Sequence, residues 1–410
     1  MAARRRRRRR RARRGRAQAG SRRPGPLGTA PVKRPPRVLI VSPIASHPAD
    51  QGNAGRIQAM GRELMARGAV CEFLHYATEG SGPAQEAAMS AFWRGGFHSV
   101  PPQRVGRAGM PGVWALDDWC PAFLADRVAR LHRSGRHDAV LVHYVWMSRV
   151  LEGVDGAALR VVDTHDLFGD RHLAAREQGL DPSWFFTTRG EEARGLARAD
   201  LVLAIQDAEA AVLRERSAAP VLTLGHMPPL RFLTERDAAE RPPPRAAFGY
   251  LGSANPWNAA SVQALDAALA DAPDLPWLLA GQITRRDLRL RSGPVVLGPV
   301  RDPGEFYRAV ECVLNPMAGG TGLKIKTVEA LAAGSPVLGT RDAFAGLPAD
   351  HPGHGAADID ALVALMREHR RSDAFRAELR RASRLLALRY AAAVARQYDE
   401  LAALLARAAA

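Results

Sequence analysis

Short runs of branched apolar residues recur along this chain, and each is followed by a stretch that favours a helix. The first run is RVLIVS at residues 37–42, and RIQAMGRELMARG follows it at residues 56–68. Short runs that are apolar throughout are typical of parallel strands buried on both faces. Strands alternating with helices predict an α/β protein whose parallel sheet is covered on both sides.

The alternation occurs twice. In the first half, further strands are predicted in AVCEFLHYA, DAVLVHY, LRVVDTHD, ADLVLAIQ and PVLTL, and residues 80–118 receive no assignment. In the second half they are predicted in FGYLGS, PWLLAG, VVLGPV, ECVLNPM and SPVLGT. Because open α/β sheets bind ligands at the carboxyl ends of their strands, two such domains facing each other would form a binding cleft.

A stretch rich in proline and charge separates the two halves and predicts an interdomain connection. The last residues, from 373 onward, favour a helix throughout, and we expect it to pack back across the domains rather than lie on a membrane surface. The predicted segments are a basic arm at 1–36, a first Rossmann-like domain at 37–225, a linker at 226–245, a second Rossmann-like domain at 246–390, and a C-terminal helix at 391–410.

The formal net charge of +16 comes from the start of the chain. Residues 1–37 hold 16 of the 58 Lys and Arg and no acid, so the 42 remaining bases balance 42 acids. A run of like charges cannot form a core, which predicts a disordered arm. Attraction to RNA or anionic lipid is one interpretation of this arm, and an arm without a specific role is the one we favour. The neutral remainder argues against a specific nucleic-acid partner.

Three cysteines, Cys71, Cys120 and Cys312, are widely separated and match neither a disulfide framework nor a zinc motif. No apolar run approaches the roughly 20 residues of a membrane-spanning helix, and no secretory apolar region follows the basic start. We expect a cytoplasmic protein, with peripheral contact at the inner face of the plasma membrane as an alternative.

The stretch NPMAGGTGLKIKTVEALAAGSPVLGT, residues 315–340, carries the strongest chemical signal. A strand, a glycine loop and a helix that ends before Gly334 follow one another, and Lys324 and Lys326 lie at the helix start. A cation there is unfavourable unless an anion faces it, so the pattern predicts a diphosphate site. Glu329 projects from the same side and could accept bonds from sugar hydroxyls. The alternative is a tight loop with solvated lysines. Neither a Walker loop nor a dinucleotide fingerprint is present.

Several blocks in the same order resemble the glycosyltransferases of the GT-B architecture, and in particular the retaining family 4. The blocks are GTGLKIKTVEALAAGSPV, VLIVSPIASHPADQGNAGRI, VVDTHDLFGDRH, ADLVLAIQDAEA and FGYLGSANPWNAASVQAL. The resemblance implies that the second domain binds a nucleoside diphosphate sugar and that the first holds most of a hydroxyl acceptor. Glu329 matches the glutamate expected on the ribose, and Thr321 stands where the family has another glutamate, which leaves retention or inversion open.

Other site residues follow from this resemblance or from their place at a helix start, each with a structural alternative. In the second domain the loop residues Gly320, Thr321 and Gly322 and the strand-end residues Gly252, Ser253 and Asn258 are expected to face the donor, with Asn258 as a local helix cap as the alternative. In the first domain, Gly52, Asn53 and Arg56 are expected to bind a phosphate or an acceptor carboxylate, and the alternative is an ordinary capped helix. His165 is expected to face the donor sugar, and the alternative is a structural cap.

The expected catalytic residues are Lys324, Lys326 and His165. The leaving diphosphate would be stabilised electrostatically, without a metal. The triplet Asp358–Ile359–Asp360 resembles a manganese motif, but acids are favourable in a first helical turn without metal. Because no motif places a carboxylate nucleophile, a front-face mechanism is expected from the resemblance. The alternatives are a nucleotide-sugar epimerase of the same fold and a non-catalytic sugar-nucleotide binder.

Overall fold

The computed structural model describes residues 34–103, 110–182, 184–232, 244–300 and 302–410. Nearly all of the predicted basic arm and most of the predicted linker lie outside these residues. The described chain forms two parallel sheets, one in each half of the sequence. This is the α/β architecture that the alternation of strands and helices predicts.

The first sheet has seven parallel strands in the order β3-β2-β1-β4-β5-β6-β7. These strands are β1 (Arg37–Ser42), β2 (Val70–Tyr76), β3 (Phe97–Val100), β4 (Ala139–His143), β5 (Leu159–Asp163), β6 (Leu201–Ala204) and β7 (Val221–Thr223). The helices are α1 (Gly52–Ala66), α2 (Pro83–Phe92), α3 (Ala122–Gly135), α4 (Arg171–Glu177), α5 (Arg189–Leu196) and α6 (Asp207–Arg216), with a 3₁₀ segment at Val145–Gly153. Strand β1 is central, and its Ile40 pairs with Phe73 on one side and Leu141 on the other.

The second sheet has five parallel strands in the order β10-β9-β8-β11-β12. These strands are β8 (Ala246–Leu251), β9 (Trp277–Ala280), β10 (Val295–Gly298), β11 (Val310–Asn315) and β12 (Val337–Gly339). The helices are α7 (Pro256–Leu269), α8 (Pro303–Ala309), α9 (Ile325–Ala332), α10 (Ile359–Arg371) and α11 (Asp373–Ala408). Short 3₁₀ segments occur at Gln282–Arg285, Asp342–Phe344 and Pro352–His354. The strands predicted in both halves are confirmed.

The strand order reverses between β1 and β4 in the first sheet and between β8 and β11 in the second. In open α/β sheets the crevice at such a reversal, outside the carboxyl ends of the strands, is where ligands bind. The loops that leave β1, β8 and β11 are therefore the segments most able to form a site. Each of them carries a block that the sequence singles out.

Helix α11 is 36 residues long and runs through residue 390, where a domain boundary was predicted. No glycine or proline interrupts it, so nothing in its sequence favours a break. Its first half packs in the second domain through residues such as Leu379 and Leu386. Its second half joins the core of the first domain, where Tyr398 and Leu401 are buried. No described helix, α11 included, is both apolar and long enough to cross a membrane.

Candidate active site

A cleft of about 740 Å³ lies between the carboxyl ends of the two sheets. The first domain contributes the loop after β1, Asp166 and Arg171, and the second contributes the loops after β8, β9 and β11 together with the start of α9. The two walls are close, since a Cβ atom placed on Gly52 would lie 3.1 Å from Ile325. The predicted residues that line this cleft are Gly52, Asn53, Gly252, Ser253, Asn258, Gly320, Thr321, Lys324, Lys326 and Glu329.

The glycine loop after β11 has an unusual backbone. Gly319, Gly320 and Gly322 have φ of 74°, 80° and 77°, the left-handed region that favours glycine. The amide of Gly319 donates to Asp342 Oδ2 at 2.5 Å. The amides of Gly320 and Thr321 bond to no described residue, and both residues line the cleft. Two backbone donors therefore remain for an anion.

Gly322 is placed differently from its neighbours. Its amide donates to Glu209 Oε1 of helix α6, in the first domain, at 2.6 Å, and it is not among the residues that line the cleft. The N–H of Gly322 is thus directed to the other domain in this arrangement, and its contact with a donor stays a prediction. Sequence reasoning missed Glu209, which looks like an ordinary acid in the first turn of a helix.

Lys324 immediately precedes helix α9 and turns back onto its own loop. Its Nζ donates to the carbonyl oxygens of Gly320 at 3.1 Å, Thr321 at 3.1 Å and Gly322 at 2.9 Å. The residue is only 8% exposed, and burial lowers the pKa of its ammonium group. Lys324 thus fixes the loop conformation, whereas the sequence predicted a point charge free to meet the diphosphate.

Lys326, the second residue of α9, is directed across the second domain. Its Nζ donates to Tyr250 Oη at 2.7 Å and to Asn258 Oδ1. Burial, assisted by Lys324, lowers the pKa of Lys326 to about 7. Burial also raises the pKa of Glu329 to about 7. An anion entering the cleft would favour the charged form of this lysine.

Asn258 supports this lysine instead of capping its own helix. Asn255 caps α7 by accepting from the amide of Asn258 at 2.8 Å. The Asn258 side chain donates to Ser253 O at 2.9 Å and Ser253 Oγ at 3.0 Å, which leaves its oxygen for Lys326. The alternative that Asn258 is a local cap is therefore wrong, and the loop after β8 is linked to the start of α9.

Arg56 does not face the cleft, contrary to the prediction. It is fully buried, and its guanidinium donates to the two carboxylate oxygens of Asp163 at 2.9 and 2.6 Å. It also donates to the carbonyl oxygens of Leu224 and Gly225 at 2.9 and 3.2 Å. A buried cation near the start of α1 is tolerated because a carboxylate 107 residues away neutralises it. Arg56 is thus a core residue of the first domain.

His165 also lies in this buried group. Its Nε2 is 2.9 Å from His143 Nδ1 and 3.1 Å from Asp163 Oδ2. Burial lowers the pKa of His165 to about 4, so the ring is neutral at pH 7. The ring does not line the cleft, so the side chain of His165 does not face the position expected for the donor sugar. The neighbours Asp166 and Arg171 line the cleft, and they are 3.4 Å apart as an ion pair.

His143, Asp163 and His165 also form the one group of potential metal ligands among the described residues, with ligand atoms within 4.8 Å of one another. The Asp163 carboxylate is already bound by Arg56. Burial raises the pKa of Asp163, but Arg56 and the two histidines hold it well below its usual range. These groups bond to one another, although the buried Nε2 of His143 has no hydrogen-bond partner among the described residues, and they lie outside the cleft lining. The triplet at residues 358–360 is a helix start, in which Asp358 caps α10 by accepting from Ala361 N at 2.8 Å.

Sequence reasoning missed three other residues of the cleft or its wall. Trp257 and Arg285 line the cleft, and Tyr250 bonds to Lys326 below it. Trp257 belongs to the quoted block FGYLGSANPWN, so its position just after a strand end was the available signal. Arg285 follows strand β9 and a glycine, which is the same strand-then-loop pattern.

Comparisons with known proteins agree with this architecture. Residues 246–381 match the family described as Glycosyl transferases group 1. Sucrose-phosphate synthase from Thermosynechococcus elongatus is similar in structure, with a TM-score of 0.66, 18% identity, and coverage of 90% of this chain and 99% of that chain. HepE of Anabaena in complex with UDP has a TM-score of 0.62 and 15% identity, and the match covers 89% of this chain and 99% of that chain.

A UDP-glucosyltransferase from Polygonum tinctorium has a TM-score of 0.54 and 12% identity, over 91% of this chain and 99% of that chain. The search of curated proteins found no match. At these identities the structural likeness shows the fold, and the family match covers the second domain. The chain therefore has the GT-B fold of these proteins, and its residues 246–381 match the family of glycosyl transferases group 1.

Proposed function

We propose that this protein transfers a sugar from a nucleoside diphosphate sugar to a hydroxyl acceptor, with retention at the anomeric carbon. The observation that carries the proposal is Lys326, a largely buried lysine with a pKa of about 7 that faces a cleft between two Rossmann-like domains. A buried ammonium group at a helix start is costly without an anion. A diphosphate would supply the missing negative charge.

The diphosphate is proposed to lie against the glycine loop. The free amides of Gly320 and Thr321 and the start of α9 would donate to its oxygens, and Lys326 would add charge. Lys324 would act by holding three loop carbonyls, which keeps these amides turned outward. Glu329 lies beside Lys326 in the same cleft and would accept bonds from the ribose hydroxyls.

The acceptor is proposed to enter through a side pocket of about 250 Å³ that adjoins the cleft. The two cavities share Arg171, Trp257 and Thr321, so an acceptor in the side pocket would reach the donor. The side pocket is also lined by Phe186, which stacks on the ring of His172 with centroids 5.2 Å apart. Aromatic faces among polar side chains suit a sugar hydroxyl acceptor.

The transfer itself is proposed to occur on one face of the sugar and without a metal. The bond from the anomeric carbon to the phosphate oxygen breaks while the acceptor oxygen bonds to that carbon. The acceptor proton passes to the departing phosphate. Of the three carboxylates that line the cleft, Asp166 is paired with Arg171, Glu329 lies beside Lys326, and Asp50 is exposed to solvent, so we propose that none of them is a nucleophile. The family resemblance favours cell-envelope polysaccharide or glycolipid as the product.

A thermal-shift screen of nucleoside diphosphates and their sugars tests the proposal, because a bound ligand raises the melting temperature by mass action. We expect at least one compound to stabilise the wild-type protein and Arg289→Ala, a control that removes an exposed positive charge from the same domain. Lys326→Ala should show little or no shift and should transfer sugar on the order of a hundredfold more slowly. No shift with any nucleotide, or equal shifts in all three proteins, would contradict the proposal.

A further inference from the structure

Glu209, a residue of the first domain, forms a direct hydrogen bond with the glycine loop of the second domain. It lies in the first turn of α6 and is only 3% exposed. Its Oε1 accepts from Gly322 N at 2.6 Å and from Gln206 Nε2 at 3.1 Å. An acid in the first turn of a helix is usually solvated, as the exposed Asp207 beside it is. Glu209 is instead enclosed between the two domains.

This enclosure is unfavourable unless the loop bond compensates for it. Burial and the neighbouring Asp166 raise the pKa of Glu209, while Gln206, Gly322 and Lys324 act in the opposite direction. The net shift favours the protonated side chain. A neutral side chain can accept from the amide of Gly322 without repelling a diphosphate on the other side of the loop.

The loop has few other constraints. Its glycines have no side chains that could pack against neighbouring residues. Their left-handed backbone conformation lies outside regular helix and strand. Asp342 holds the amide of Gly319, and Lys324 holds three carbonyls, but both residues belong to the loop's own domain. The amide of Gly322, in contrast, donates to a residue of the opposite domain. The conformation of the loop thus depends in part on the contact between domains.

We propose that Glu209 is a positioning residue that completes the diphosphate loop when the two domains meet. The inference rests on the proposed function, since it assigns the loop to a diphosphate. Glu209 would not touch the donor. It would fix Gly322, and with it the outward direction of the amides of Gly320 and Thr321. Donor affinity would then depend on the domain contact, which is a way for closure to assemble the site.

Three variants test this: Glu209→Ala, Glu209→Gln and Glu192→Gln. Glu192 is the matched control, because it is a buried glutamate of the same domain that accepts from a backbone amide, that of Phe168 at 2.7 Å, away from the loop. UDP and other nucleoside diphosphates are titrated by calorimetry. Glu209→Ala should weaken their binding about tenfold or more, because the Gly322 amide loses its acceptor. Glu209→Gln keeps an acceptor oxygen and should stay within about threefold of wild type.

Hydrogen exchange gives a second readout that needs no nucleotide. In Glu209→Ala the amide of Gly322 should exchange faster while strand β11 stays protected, and in Glu192→Gln the loop should exchange as in wild type. Unchanged exchange at Gly322 in Glu209→Ala would overturn the inference. Tighter nucleotide binding in either Glu209 variant would also overturn it, since Glu209 would then compete with the diphosphate. If the wild-type protein bound no nucleotide but its Gly322 amide were protected from exchange, the proposed function would be refuted. The contact between Glu209 and the loop would still be supported.

Discussion

The pKa of Lys326 predicts how donor binding depends on pH. Burial holds this pKa at about 7 in the free protein, and a bound diphosphate favours the ammonium form. Below pH 7 the lysine is already charged, so binding requires no proton. Above pH 7 the lysine is neutral in the free protein and must take up a proton when the diphosphate binds. Affinity for a nucleoside diphosphate should therefore fall as the pH rises.

The size of the effect follows from the fraction of charged lysine. With a pKa of about 7, this fraction falls from about one half at pH 7 to about one hundredth at pH 9, which weakens binding by about fiftyfold. The terminal phosphate of UDP has a pKa near 6 by analogy with other phosphate monoesters, so its own charge changes little in this range. Glu209 ionises in the same window and would act in the same direction.

Calorimetry of UDP binding at several pH values, in two buffers with different ionisation enthalpies, measures both affinity and proton uptake. At high pH, we expect UDP binding to the wild-type protein to be accompanied by the uptake of close to one additional proton. Lys326→Met keeps Glu209 and Glu329 but lacks the titrating ammonium, so it should bind weakly and with a smaller pH slope. The same slope and the same proton uptake in the two proteins would refute the argument.

Three further predictions concern separate parts of the molecule. Arg56→Met leaves Asp163 buried without its partner and should lower the free energy of unfolding in urea by about 3–5 kcal/mol, with UDP affinity of the folded protein unchanged; unaltered stability would contradict the structural role. Phe186→Ala should raise the KM for the acceptor in steady-state assays and leave UDP binding intact, and a parallel loss of UDP binding would count against the side pocket. Treatment with EDTA should not weaken UDP binding, so a loss restored by an added divalent cation would show that metal is required.

The fold was largely accessible from the sequence because buried parallel strands are continuous apolar runs. Strand β4, with the sequence AVLVH, is buried at every position and was readily recognised. Strand β3, with the sequence FHSV, was not assigned. It lies at the edge of the first sheet and is only partly buried, so its sequence lacks the apolar pattern. The predicted boundary at residue 390 lies inside one continuous helix.

The position of the site was predictable, but several side-chain directions were not. Glycines and lysines after a strand indicated the anion loop, and that loop lines the cleft. Arg56 and His165 were assigned to the ligand because each lies near a strand end or helix start. Their partner Asp163 is itself at a strand end, and local spacing does not show whether neighbouring polar groups satisfy one another. Glu209 was missed because its contact joins residues 113 positions apart.

The C-terminal helix has a consequence for the order in which the chain folds. Gln397 accepts from Gly225 N at 2.8 Å, and the Tyr390 hydroxyl lies 3.4 Å from His226 N, directly above the carbonyls that receive Arg56. The first sheet is synthesised early, but the final turns of the chain cover its buried charge. A nascent chain that ends at residue 225 lacks the two contacts that α11 makes beside the Arg56 ion pair. The first domain thus completes this part of its core with residues 164 and 172 positions further along the chain.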